Sequence, residues 1–131
     1  MRNDLPADVA GFVLAHIHSV AQLELLLWMY AHGDEPRTAA EISATHRMTE
    51  DMSAQLLEDL RVRGFLTLDD PEAEGYRFGP RNQELIELIG RLAEVYQQRR
   101  YSVINLIFSR PTENVRNFAR SFRLRKDDEG G

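Results

Sequence analysis

The stretch that decides the fold is Gln55-Leu56-Leu57-Glu58-Asp59-Leu60-Arg61-Val62-Arg63-Gly64-Phe65-Leu66. Leu57 and Leu60 are three residues apart, a spacing that places both side chains on one face of a helix. Gly64 then ends the helix and allows the backbone to turn sharply. Phe65 and Leu66 begin a short apolar run that predicts a strand. We therefore expect a helix that packs on earlier helices and leads directly into a strand that closes the core.

Three side chains upstream of this stretch can cap helices. Ser19, Thr38 and Thr49 each precede a run of apolar residues at helical spacing, and Gln22 completes a capping-box pattern with Ser19. Gly33 supplies a stop after the first of these runs. The patterns predict three helices, at about 19–32, 39–45 and 49–63.

Further helices are predicted at both ends of the chain. Asp4 and Pro6 favour a first helix over residues 5–17. Pro80 and Asn82 open a long helix to about residue 108, where Ser109-Arg110-Pro111 interrupts the pattern. Thr112 caps a last helix whose apolar face is formed by Val115, Phe118, Ala119 and Phe122.

A hairpin is predicted between the helix at 49–63 and the long helix that begins near Asn82. Residues 65–68 and 76–78 have strand character, and a polar loop of seven residues joins them. The loop contains four acidic residues: Asp69, Asp70, Glu72 and Glu74.

The order of elements over residues 19–80 resembles the winged helix-turn-helix of bacterial regulators of the MarR and ArsR type. In those regulators the sequence Leu-x-x-Leu-x-x-x-Gly-[Leu/Phe]-[Leu/Val] is common, and here it is filled by Leu57, Leu60, Gly64, Phe65 and Leu66. Thr38-Ala39-Ala40-Glu41-Ile42 looks like the start of their positioning helix. The resemblance implies a mainly α fold, a winged helix-turn-helix with a two-stranded wing. The additional N- and C-terminal helices would complete a single domain of residues 1–131, with the C-terminal helices at 82–125.

The resemblance also implies a function. It predicts a bacterial, non-enzymatic transcription regulator that binds double-stranded DNA as a homodimer, its recognition helix in the major groove. Ser53 and Gln55 would read base edges, while Thr49 and Arg47 would contact phosphates. The predicted DNA-contacting set is Thr38, Arg47, Thr49, Ser53, Gln55, Arg77 and Arg81. Arg37, Arg61 and Arg63 are further available cations.

The charge distribution favours an alternative, a winged-helix module that docks on a protein and binds little or no DNA. Residues 1–90 carry 16 acids and 7 Lys or Arg, while residues 91–131 carry 5 acids and 9 Lys or Arg. Glu50 and Asp51 suit the first turn of a helix but repel a phosphate backbone. In this alternative the recognition helix and the acidic loop contact the partner, and the predicted partner-binding residues are Asp69, Asp70, Glu72, Glu74, Arg116, Arg120 and Arg123.

The basic C-terminal segment leaves three interpretations open. Arg116, Arg120 and Arg123 could form a solvated face on a helix that packs back or dimerises. They could instead contact nucleic acid, or lie on an anionic membrane or in a partner's groove. The spacing of the residues does not choose among them.

The sequence predicts neither a metal site nor a cofactor. It contains no cysteine, and His16 and His18 are two apart, so that they point to different faces of a helix. No glycine-rich phosphate loop is present, and an enzyme is not expected. Phe12, Trp28, Tyr96 and Tyr101 are expected to be ordinary core, with a ligand pocket as the alternative. A transmembrane helix and a signal peptide are not expected, so we expect a cytoplasmic protein.

Overall fold

The computed structural model of the protein describes residues 5–68 and 75–109. Within these ranges the chain is mainly helical, as predicted, with six helices and one two-stranded antiparallel sheet. Asp4, the acidic loop and the helix predicted after Thr112 lie outside the described residues. In chain order the elements are α1 (Ala7–His16), α2 (Val20–His32), α3 (Ala39–His46), α4 (Glu50–Val62), β1 (Leu66–Leu68), β2 (Tyr76–Phe78), α5 (Gln83–Gln98) and α6 (Arg100–Ser109).

Four helices begin at side chains that the sequence predicts as helix starts. The hydroxyl oxygens of Ser19, Thr38 and Thr49 each accept a hydrogen bond from a backbone N–H three residues later, and the Asn82 amide oxygen does the same. The Glu41 carboxylate also accepts from the Thr38 backbone N–H at 3.2 Å, which completes a capping box. Local side-chain chemistry therefore sets where these helices begin.

The hairpin has a second partner besides its own two strands. Leu66 pairs with Phe78 and Leu68 with Tyr76 in antiparallel register. On the other side of β2, the Arg37 N–H donates to the Tyr76 oxygen at 2.8 Å, and the Tyr76 N–H donates to the Arg37 oxygen at 2.8 Å. The segment between α2 and α3 is thus hydrogen-bonded to the hairpin.

The long C-terminal helix predicted over 82–108 is interrupted, and that prediction is wrong. Arg99 leaves the helical conformation (φ −134°, ψ 52°) and separates α5 from α6. The bend lets α6 pack against both α1 and α5, burying Val103 and Ile107. The fully buried residues of this region are Ile89 and Leu92 on α5 and Val103 and Ile107 on α6, so its apolar side chains enter the core from two helices.

Gln22 joins the first two helices to α4. Its Nε2 donates to the His16 backbone oxygen at 3.1 Å and to Asp59 Oδ2 at 3.0 Å, and its Oε1 accepts from the His18 N–H at 2.6 Å. The capping-box pattern predicts a hydrogen bond from the Ser19 N–H to this side chain. That bond is absent, because the Gln22 amide oxygen accepts from the His18 N–H instead. Gln22 is only 3% exposed, and these bonds satisfy both ends of its amide.

The core lies between α4, the hairpin and the helices of both ends. Leu57, Leu60, Phe65 and Leu66 of the fold-deciding stretch are all buried, as predicted. The other buried hydrophobic residues that the structure describes are Leu5, Val9, Phe12, Val13, Ile17, Leu23, Leu25, Leu26, Met29, Ile42, Ile89, Leu92, Val103 and Ile107.

Candidate interaction surface on helix α4

The turn between α3 and α4 exposes one arginine. Arg47 adopts a left-handed conformation (φ 56°, ψ 50°), and its side chain is exposed. The turn is held from inside, because Ser43 Oγ donates to the Met48 backbone oxygen at 2.6 Å. The structure therefore places Arg47 at the surface between the two helices, where the sequence predicts a phosphate contact.

The outward face of α4 carries acidic and apolar residues. Asp51, Gln55, Glu58 and Val62 follow one another at helical spacing and form a stripe, which we call the α4 stripe. Val62 is 65% exposed, and Met52 beside the stripe is 46% exposed. Two carboxylates and an exposed valine are thus presented to the surroundings where a DNA-reading helix would contact a groove.

Ser53 does not lie on this face, and its predicted role in reading base edges is wrong. Its side chain is fully buried, and its Oγ donates to the Thr49 backbone oxygen at 2.9 Å. Two residues along a helix rotate a side chain by about 200°, so Gln55 faces outward while Ser53 faces the core. Gln55 and Thr49 are exposed, although the Thr49 hydroxyl also caps the helix.

Two arginines counted as available cations are held by acids of the same helix. Arg61 Nε donates to Glu58 Oε1 at 3.0 Å, and Arg63 Nε donates to Asp59 Oδ2 at 2.9 Å. Residues three or four apart are neighbours on a helix surface, so the spacing of Glu58 to Arg61 and of Asp59 to Arg63 in the sequence already indicates these ion pairs.

The Glu58 carboxylate also connects α4 to the hairpin. It accepts a hydrogen bond from the Tyr76 hydroxyl at 3.0 Å. The hydrogen bond from Arg61 is the main cause that lowers the pKa of Glu58, and the bond from Tyr76 lowers it further. Burial is the main cause that raises the pKa of Tyr76, and the bond to Glu58 adds to it. Glu58 therefore stays ionised on the α4 stripe.

The remaining predicted DNA contacts are only partly brought together. The Thr38 hydroxyl caps α3, while Arg77 donates to the Asp34 backbone oxygen. The Arg81 guanidinium lies over Gly64, where an added β-carbon would come within 2.5 Å of Nε. The acidic loop residues and Arg116, Arg120 and Arg123 lie outside the described residues, so their predicted contacts remain predictions.

Arg37 is likewise engaged, in an aromatic cluster that the sequence analysis missed. Its guanidinium lies 5.4 Å from the Trp28 ring centroid, and its Nη1 binds Glu41 at 3.2 Å. Trp28 stacks on His32 with ring centroids 4.6 Å apart and contacts the edge of His46 at 5.5 Å. This cluster holds the end of α3 against α2. The four-residue spacing of Trp28 and His32 indicates in the sequence that the two rings are neighbours on one helix face.

The aromatic residues weighed as core or pocket lie in different surroundings. Phe12 packs in the core on Phe65, with centroids 5.3 Å apart, while Tyr101 is 80% exposed. The Tyr96 hydroxyl donates to Glu24 at 2.9 Å, and burial raises the pKa of Tyr96 to about 12. The core interpretation is therefore right for Phe12 and wrong for Tyr101.

No family model, curated protein or solved structure matches this chain. Within residues 5–68 and 75–109, no group of three or more His, Asp or Glu side chains is arranged to hold a metal ion. No single helix in these ranges is long and apolar enough to cross a membrane, and α1 and α2 meet that criterion only as a pair bent by 118°.

Proposed function

We propose that the protein is a non-catalytic regulatory module with a winged helix-turn-helix fold that docks on another protein through the α4 stripe. The helices α2, α3 and α4, followed by a hairpin, have the order of that fold. The backbone pairing of Arg37 with Tyr76 supports it, because it makes helices and hairpin one unit. Since winged helices serve both DNA binding and protein docking, the surface of α4 has to decide between them.

The charge at the exposed start of α4 is the observation that carries the proposal. Glu50 and Asp51 are exposed there, whereas the charge of Glu58 is offset by its ion pair with Arg61, the only arginine of α4. Duplex DNA carries one negative charge per about 1.7 Å of its axis, and affinity depends on neutralising those charges. A helix whose exposed first turn carries the carboxylates of Glu50 and Asp51 loses affinity at the positions where DNA-binding proteins gain it.

The apolar residues beside these acids favour a protein partner. Met52 and Val62 expose large parts of their side chains next to Asp51 and Glu58. Methionine is enriched at protein interfaces, where its flexible side chain adapts to different surfaces. The complementary partner surface would bring basic side chains to the carboxylates and apolar side chains to Met52 and Val62.

Variants of the α4 stripe test this proposal. The tagged full-length chain is cross-linked in the cells that produce it, as wild type, as Asp51→Lys/Val62→Asp, and as the control Glu84→Lys. Glu84 is an exposed acid on α5, so the control changes charge away from the stripe. We expect a cross-linked protein whose recovery falls by about tenfold in the stripe variant, as for an interface hot spot, and is unchanged in the control. Equal recovery from all three chains would contradict docking through α4.

A second candidate function is sequence-specific DNA binding as a dimer. The exposed Arg47 in the turn, with Thr49 and Gln55 exposed on α4, favours it. These residues occupy the positions from which the winged-helix resemblance predicts phosphate and base contacts. In this case Arg47→Ala and Gln55→Ala would each weaken binding to a duplex, with Arg47→Ala acting equally on all DNA sequences.

A further inference from the structure

The outer edge of the hairpin is formed by β1, and a groove of about 510 Å³ runs along it. The groove is lined by Arg61, Leu66, Thr67 and Leu68. The opposite edge of the sheet is closed, because the segment before α3 is hydrogen-bonded to β2. Among the described residues, β1 has a strand neighbour on one side only. The other side of β1 therefore offers room and a free edge for a further strand.

The hydrogen-bond pattern of the hairpin fixes which backbone groups of β1 face this groove. Opposed residues in an antiparallel pair alternate between hydrogen-bonded and non-bonded positions. The Gly79 N–H donates to the Phe65 oxygen at 3.1 Å, so position 65 is a bonded one, and Thr67 is the next. The N–H and C=O groups of Leu66 and Leu68 consequently point away from β2, and no hydrogen bond joins them to another described residue.

β1 lacks the features that usually keep an exposed strand edge from pairing. Such edges commonly carry charged side chains, proline or a bulge. Residues 66–68 are Leu-Thr-Leu, and their register with β2 is continuous. The Thr67 side chain is exposed on one face of the sheet, while Leu66 is buried on the other face. A further strand can therefore approach this edge without burying a charge of β1.

The charges at the two ends of β1 favour a second copy of the same strand as the occupant. The Arg61 guanidinium lines the groove before β1 and has further N–H donors besides the two that Glu58 accepts. In the sequence, Asp69 and Asp70 follow β1 directly. An antiparallel strand of the same sequence brings the start of one copy beside the end of the other, so that unlike charges approach each other.

We propose that two copies of this chain associate through β1, antiparallel about a two-fold axis at Thr67. Leu66 of each copy then exchanges both backbone hydrogen bonds with Leu68 of the other copy, and the two hairpins form one continuous sheet. The two Thr67 residues form the central non-bonded pair, with Cα atoms about 4.5 Å apart. The contact is small and belongs to the class of transient interfaces below about 1,200 Å².

Disulfide trapping in the full-length chain tests this pairing, since the chain has no cysteine of its own. Thr67→Cys places two thiols across the proposed axis, at a separation that a disulfide spans. Thr45→Cys is the matched control at an exposed threonine of α3, and Arg77→Cys places the thiol on the same sheet face but on β2. Thr67→Cys/Leu68→Pro removes an N–H that faces the groove and no hydrogen bond to β2, a position where strands tolerate proline.

We expect Thr67→Cys to form a disulfide-linked dimer at least about tenfold faster than Thr45→Cys or Arg77→Cys at equal protein concentration. Adding Leu68→Pro should return the rate to that of the controls. Equal rates for Thr67→Cys and Thr45→Cys would overturn association through β1 and leave the edge to a different protein. Equally fast trapping of Arg77→Cys would assign the contact to the sheet face, and fast trapping that persists with Leu68→Pro would overturn backbone pairing.

Discussion

Gly64 shows how one residue controls the passage from α4 to the hairpin. Its φ of +93° lies where L side chains are strained, and the Arg81 guanidinium covers the space that a β-carbon would fill. Both facts explain why a glycine stands at position 64, at the end of α4. The sequence alone predicts the glycine's backbone role but contains no sign of the contact with Arg81, which depends on where the hairpin returns.

We therefore expect Gly64→Ala to lower the free energy of unfolding by about 1–3 kcal/mol. Gly11→Ala is the matched control, because Gly11 is in the exposed part of α1 with no atom within 4 Å of an added β-carbon. That change should raise the free energy of unfolding by roughly 0.5–1 kcal/mol. Urea denaturation measures both, and equal effects of the two variants would show that Gly64 has no special backbone role.

His16 makes the stability of the chain depend on pH. Burial beside Phe12 and Phe65, together with the charge of Arg63, holds its pKa below the ordinary 6.5. The unfolded chain then binds a proton at His16 at a higher pH than the folded chain does. Stability should therefore fall as the pH drops below about 6.5 through the folded-state pKa.

The prediction is that His16→Gln reduces this loss of stability on acidification, while His32→Gln leaves it in place. Thermal unfolding of the three chains between neutral pH and about pH 5 measures the effect. Identical pH profiles for wild type and His16→Gln would refute the role of His16.

At the scale of the helices, starts were predictable and side-chain directions were less so. Caps depend on residues within one turn, so Ser19, Thr38 and Thr49 could be recognised from the sequence. The inward direction of Ser53 follows from helix geometry, because Ser53 lies four residues before the buried Leu57 and on the same face. The break at Arg99 could not be seen, because apolar residues continue on both sides of it and tertiary packing of α6 decides it.

The capping box of α3 gives a direct test of a local interaction. Thr38→Ala removes the side-chain oxygen that accepts from the Glu41 N–H, and we expect it to cost about 1 kcal/mol of unfolding free energy. Thr45→Ala, the same substitution at an exposed position of the same helix, should change stability by less than about 0.5 kcal/mol. Chemical denaturation compares them, and a cost at Thr45 that matches the cost at Thr38 would exclude a specific cap.

Gln22 tests the connection between the first helices and α4. In Gln22→Leu the His18 N–H and the His16 oxygen lose their side-chain partner inside the protein, which should cost about 1–3 kcal/mol. Gln55→Leu, on the exposed α4 stripe, is the control and should be nearly neutral. A neutral Gln22→Leu in the same denaturation assay would mean that this amide does not hold α1 and α2 to α4.

At the scale of the whole molecule, the fold is compatible with either DNA or protein binding, and the positions of the exposed charges favour one of them. The sequence predicts an acidic body and a basic end, and the structure adds which acids face outward on α4 and which arginines are paired. The choice between DNA and protein could not be made from composition, since pairing and burial decide which charges are available.

Titration of the full-length chain against a labelled mixed-sequence duplex, from low to physiological salt, tests the central claim most directly. Proteins that bind DNA non-specifically do so with dissociation constants of about 10⁻⁴–10⁻⁶ M at physiological salt. With the exposed carboxylates of Glu50 and Asp51 in the first turn of α4, we predict no saturable binding that depends on Arg47 or Gln55 at any salt concentration. Micromolar binding that weakens steeply with salt and is reduced by Arg47→Ala or Gln55→Ala would contradict the account.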